Sequence, residues 1–280
     1  MLKQRILTAL VLLAILLPAL AYPSFVPLAV VTLILIATGC WEWGRLNGLA
    51  QAASLGLAAV GSVLCLASWW VGWIALPLPW LWQVAGAAWV LLGGWLLARG
   101  VAGWPQTARW LRLAGGVLAL WLAWLAMARA RAIGINFLLS ILCLVWVADI
   151  CAYFAGRALG RRKLAPAISP GKSWEGVWGG MAGVLLLALV WAWADGHWQA
   201  AVPSLYARLL GMGLLWWLPA LLFLTAMSVV GDLTESLVKR SSGMKDSSNL
   251  LPGHGGVLDR VDALLPTLPL ALMISNFARP

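Results

Sequence analysis

Apolar runs of about twenty residues recur from end to end of this 280-residue chain. A helix of that length spans roughly 30 Å, the depth of a bilayer's hydrocarbon core. In lipid the backbone must satisfy its own hydrogen bonds, so only helices and closed barrels cross. The runs are continuous rather than alternating, which excludes an outer-membrane barrel. Charged residues make up 10% of the chain against about a quarter in soluble domains. Mean hydropathy is +0.92. These features define an all-α, polytopic integral membrane protein.

Nine spans are expected, at 5–21, 25–41, 51–70, 77–98, 111–128, 135–156, 175–195, 207–230 and 257–276. Pro77 and Pro79 interrupt the segment 71–98, so it is also compatible with a re-entrant element, which would leave eight. The opening MLKQR and its apolar run resemble a signal peptide, but no small-residue cleavage site leads into a soluble domain, so they read as the first span. Tryptophan gathers near span ends, as at Trp69-Trp70 and Trp216-Trp217, where amphipathic rings favour the interface.

Orientation follows from the cations. With a cytoplasmic N-terminus, 15 of the 19 basic residues fall inside, leaving Arg129, Arg131, Arg208 and Arg279 outside. Net charge of +10 is then explained by this bias and by a site for anions, without nucleic acid. Cys40, Cys65, Cys143 and Cys151 lie in apolar segments without a CxxC pair and read as small core residues. Residues 1–130 are expected to form a transmembrane scaffold and a dimer surface, and 131–280 a catalytic region with polar loops on the cytoplasmic face.

Five of the nine acidic residues sit between Gly231 and Asp262, namely Asp232, Glu235, Asp246, Asp259 and Asp262. Asp149 and Glu175 bracket a second polar stretch, and only Glu42 and Asp195 lie elsewhere. A carboxylate at membrane depth costs about 2.5–3.5 kcal/mol to insert, so such a cluster points to function.

Asp232, Glu235, Ser236, Lys239 and Arg240 fall at offsets 0, 3, 4, 7 and 8, one face of a helix. Carboxylates nearest the membrane and cations farther out suit a divalent metal beside a phosphate chain. The plainer reading is a solvated helix end with i,i+4 ion pairs. The turn Leu251-Pro252-Gly253-His254-Gly255-Gly256 leads into the last span and would expose backbone N–H groups to an anion. Asp259 and Asp262 follow on one face. They either complement the helix dipole or, with Asp232, share a metal. His254 lacks a second histidine nearby and reads as a loop or phosphate contact rather than a zinc ligand.

In the second stretch, Asp149 and Tyr153 share a face, and Arg157, Arg161, Arg162 and Lys163 follow, which alone could be an inner-leaflet anchor. Ser169-Pro-Gly-Lys172-Ser173 resembles the end of a P-loop, but Pro166 stands where the first glycine would be, so that reading fails. Ser173 is a plausible N-cap and Lys172 a phosphate contact. Carboxylates, lysines, arginines and tight glycine turns, without GxSxG, HExxH or DDxxD, fit phosphoryl or nucleotidyl transfer. Charges on one membrane face and the lack of matching halves argue against a transporter. A CTP-using polyprenol kinase would need a base to activate a neutral hydroxyl.

The run Ser236-Leu-Val-Lys239-Arg240, Lys245-Asp246, Pro252-Gly-His254-Gly255-Gly256-Val-Leu-Asp259-Arg260-Val-Asp262 resembles the signature of the phosphatidate cytidylyltransferases, or CDP-diacylglycerol synthases. Asp149 through Gly176 is similar to that family's other polar block. The resemblance covers about residues 145–265. It implies CTP plus phosphatidate giving CDP-diacylglycerol and pyrophosphate, in a bacterial inner membrane, by a homodimer with Mg²⁺ and a second ion such as K⁺. It implies catalytic roles for Asp232, Lys239, Asp259 and Asp262, and metal binding by Asp232, Asp259, Asp262 and Asp149. Substrate contacts are then expected from Ser236, Arg240, Lys245, Lys172, Ser173, His254, Gly255, Gly256, Arg260 and Tyr153.

Overall fold

A computed structural model describes residues 2–277. Arg279, counted above among the outer cations, lies outside the described residues, as do the side chains of Lys3 and Arg5. The helices are α1 (Leu2–Ala21), α2 (Val26–Leu46), α3 (Gln51–Trp70), α4 (Pro79–Gly103), α5 (Arg109–Ile133) and α6 (Ile135–Leu159). After a hairpin of β1 (Lys163–Ala165) and β2 (Ser169–Ser173) come α7 (Trp174–His197), α8 (Leu205–Gly211), α9 (Leu214–Ser241), α10 (Leu258–Val261) and α11 (Leu264–Phe277). Among the described residues, α2 to α7 and α9 are each long and apolar enough to cross a membrane.

Short connections force successive helices to run antiparallel, which gathers the polar loops at one end. The segment 71–98 is not re-entrant. Pro79 begins α4, where a missing N–H costs nothing, and the helix continues to Arg99 before Gly100, at φ +66°, kinks its last turn. The expected span 207–230 is divided by Gly213, whose φ of +96° no helix accommodates. Its second part, α9, extends well past Val230 and carries the acidic face to Ser241.

The last span is likewise divided, into α10 and the 14-residue α11. So short a helix is tolerated because it sits in protein rather than lipid: every residue from Ala263 to Leu272 is buried. It packs against α4, α5, α6, α8 and α9, making it the axis of the bundle, and α10 at its head faces the polar loops. At the opposite end, arginines lock turns to helices. Arg131 donates to the carbonyls of Leu20 and Tyr22, and Arg129 to those of Ile74 and Ala75.

Candidate active site

The polar face of α9 turns inward as far as Lys239, and Arg240 is exposed at its end. Glu235 and Lys239 are buried, and Asp232 and Ser236 are half-buried. Gly231 lets α9 approach the head of α11 closely. A Cβ there would lie 2.5 Å from the Asp262 carbonyl oxygen and 2.8 Å from Pro266. The backbone contact thereby sets Asp232 and Asp262 side by side.

Two ammonium groups organise the cluster. Lys172 Nζ, delivered by β2, lies 2.6 Å from Asp232 Oδ2, while Ser236 Oγ donates to Asp232 Oδ1 at 3.3 Å. Lys239 Nζ is paired with Glu235 one turn back and with Asp259 Oδ1 at 2.5 Å. Asp259 Oδ2 accepts from Ser247 N–H and Oγ, both at 2.9 Å, and from Gly256 N–H at 2.8 Å. These hydrogen bonds and the Lys239 ammonium hold the Asp259 carboxyl from both of its oxygens. Asp262 accepts from Ala263 N–H at 2.7 Å.

Asp149 of α6 is more exposed and faces the same Lys172–Asp232 pair. Five carboxylates thus surround two lysines. No three His, Cys, Asp or Glu among the described residues converge on one point. Mg²⁺ does not require that, since it commonly takes one or two carboxylates, waters and substrate phosphates. An excess of negative charge around Asp232 and Asp262 suits such a cation.

At the end of the glycine turn and just beyond it, backbone N–H groups hold carboxylates of the chain itself. Gly256 N–H donates to Asp259, and the N–H groups of Val257 and Leu258 donate to Glu42 at 3.0 and 2.8 Å. Gly255, at φ +83°, makes the turn that closes the Leu251–Gly255 bridge. The His254 carbonyl accepts from Arg260 Nε at 3.0 Å, so these two brace each other.

Ser173 caps α7, accepting from Gly176 N–H at 3.2 Å, and Glu175 accepts from the N–H groups of Arg161 and Arg162 to pin the hairpin. Arg240 Nε reaches the Ile168 carbonyl across the same hairpin. Tyr153 is exposed and bonded to Arg157, facing outward from α6. Lys245 is exposed on a cleft of about 570 Å³ shared with Trp41, Arg45, Ser247 and Ser248.

One residue of the site carried no functional reading in the sequence. Glu42, on α2, is fully buried and holds the loop that carries Asp259. Its isolation among apolar neighbours was the available signal.

A model of the cytidylyltransferase family matches residues 3–278. The chain is 43% identical to a phosphatidate cytidylyltransferase of Pseudomonas aeruginosa, over 96% of this chain and 95% of that one. It is 49% identical to one of Haemophilus influenzae, over 49% of this chain and 44% of the relative. With one of Bacillus subtilis it shares 40% identity over 49% of this chain and 46% of the relative.

Proposed function

The chain belongs to the cytidylyltransferase family, and from that premise we propose how its polar cluster divides the work of the reaction. The protein is a multi-pass membrane enzyme that uses CTP and phosphatidate to make CDP-diacylglycerol and pyrophosphate. A phosphatidate oxygen attacks the α-phosphorus of CTP, the bond to the β-phosphate oxygen breaks, and pyrophosphate leaves. The nucleophile is a phosphate monoester with a second pKa near about 6, so it arrives largely ionised and no general base is required.

The protein's task is therefore to bring two anions together and to stabilise charge as it moves to the leaving group. The observation that carries this reading is the meeting of Lys172, Asp232, Lys239 and Asp259 from β2, α9 and α10 at one end of the bundle. Lys172 and Lys239 are each within 2.6 Å of a carboxylate, so both are pre-positioned as phosphate contacts, with Arg240 and Lys245 farther out. Ser236 keeps Asp232 oriented. In this reading Asp232 and Asp259 hold Mg²⁺, with Asp262 and Asp149 near enough to complete the charge balance, and K⁺ is a second ion of the same centre. Bound Mg²⁺ supplies Lewis-acid neutralisation of the triphosphate. Asp232, Glu235, Asp259 and Asp262 are already engaged with ammonium or N–H groups, which favours an ionised nucleophile over a hydroxyl needing a base. The cluster faces the cytoplasm of a bacterial inner membrane, and the enzyme works as a homodimer paired through its N-terminal helices.

Purified enzyme given phosphatidate and CTP labelled at the α- or γ-phosphate tests the chemistry. Label from the α-position is expected in lipid, and chelation should abolish transfer until Mg²⁺ is restored. Asp232→Asn and Asp259→Asn should each abolish turnover while the protein still inserts. Near-normal activity in both would refute the site.

A further inference from the structure

Glu42 lies 205–216 residues from its partners, on a helix that supplies no other group to the cluster. Its Oε1 accepts from Ser248 Oγ at 2.5 Å and Val257 N–H at 3.0 Å, and its Oε2 from Ser247 Oγ at 3.2 Å and Leu258 N–H at 2.8 Å. No ion pair to a cation accompanies it among the described residues, so its burial is offset by the Ser248 hydroxyl, the N–H groups of Val257 and Leu258, and a Ser247 hydroxyl shared with Asp259. The four-residue α10 has no side-chain cap of its own, and Glu42 supplies one from outside.

The contact leads directly to the proposed metal carboxylate. Ser247 Oγ stands between Glu42 Oε2 and Asp259 Oδ2, and a hydroxyl has one hydrogen to give. Gly256 fits between the same groups. A Cβ there would lie 2.1 Å from Ser247 Oγ and 2.3 Å from Glu42 Oε1, while its N–H donates to Asp259. We propose that Glu42 is a positioning residue for cytidylyl transfer: it clamps the loop from Ser247 to Leu258 to α2 and, through Ser247 and Gly256, fixes where Asp259 stands. This rests on Asp259 belonging to the site.

Glu42→Gln keeps the shape but places an amide NH₂ against at least one fixed backbone N–H. In the full-length enzyme it should lower kcat by about 10- to 100-fold, the range of losses when a group supporting a metal ligand is altered. The KM values for CTP and phosphatidate should stay near those of the wild type, since the residue touches neither. Amide hydrogen exchange should quicken at 247–258 and stay unchanged in α5. Ser248→Ala, which deletes one donor and leaves every contact of Asp259, should give a smaller kcat loss in a folded protein. Asp259→Asn, run alongside, separates the failures. If it is inactive while both Glu42→Gln and Ser248→Ala keep wild-type kcat, the clamp is wrong and the site stands. If it is active, the site reading falls and the clamp falls with it. A loss of activity that only tracks the folded fraction, with unchanged kcat per folded molecule, also overturns the positioning role.

Discussion

Lys239 sits between Glu235 and Asp259, and its ammonium is the cation that both of these nearly buried carboxyl groups face. Removing one member of a buried pair costs about 3–5 kcal/mol, because the abandoned charge remains out of water. Lys239→Met should therefore lower the unfolding midpoint in detergent sharply and abolish turnover. Adding Glu235→Gln to that variant relieves the worse of the stranded carboxyl groups, since Asp259 keeps the N–H groups of Ser247 and Gly256 while Glu235 keeps no donor. The double variant should recover most of the lost stability and none of the activity. Recovery of both would show that Lys239 only balances charge. Lys172 differs, because its pair with Asp232 is about a quarter exposed and water screens it. Lys172→Met should leave stability nearly unchanged while lowering turnover.

At the scale of elements, the α9 face was legible because a helix imposes a fixed angular spacing. Offsets of 0, 3, 4, 7 and 8 could only bring Asp232 to Arg240 to one side, and α9 runs through all of them. Ser173 as the α7 cap was legible for a similarly local reason. The break at Gly213 was not, since glycine inside an apolar run is equally compatible with a continuous helix. Nor was the β1–β2 hairpin, whose strands of three and five residues are fixed by Glu175 rather than by their own pattern. The crossing of α9 with the α10–α11 junction rests on Gly231. Gly231→Ala must push the Asp262 carbonyl or Pro266 aside, an overpacking cost of about 1–3 kcal/mol. Because the displaced segment carries Asp262 and adjoins Asp259, turnover should fall more steeply than stability. A variant that melts lower yet turns over normally would show that the crossing does not align the site.

Across the whole molecule, the part least legible in sequence was the dependence of the C-terminal polar loops on the N-terminal helices. Glu42 reads as one acid near a span end, because partners some two hundred residues away leave no periodic trace. Thr8 Oγ1 donates to the Pro252 carbonyl from α1, and Ser242 Oγ donates to the Leu46 carbonyl, so both N-terminal helices touch the 242–257 loop. Composition also carries an expectation of polarity across the membrane. Helix order places the hairpin, the α9 terminus and the 242–257 loop at one end and the 198–204 loop at the other, and the basic residues crowd the first. Labelling of single cysteines by a membrane-impermeant maleimide tests that polarity. The native thiols give little background, Cys40 and Cys65 being buried and Cys143 and Cys151 only half-exposed along helices. In intact spheroplasts Ala201→Cys, on the exposed 198–204 loop, should label at once. Asn249→Cys, equally exposed beside Lys245, should label only after permeabilisation. The reverse pattern would put the site on the side of the membrane where CTP is scarce, and with it would go the assignment of the cluster to nucleotide chemistry.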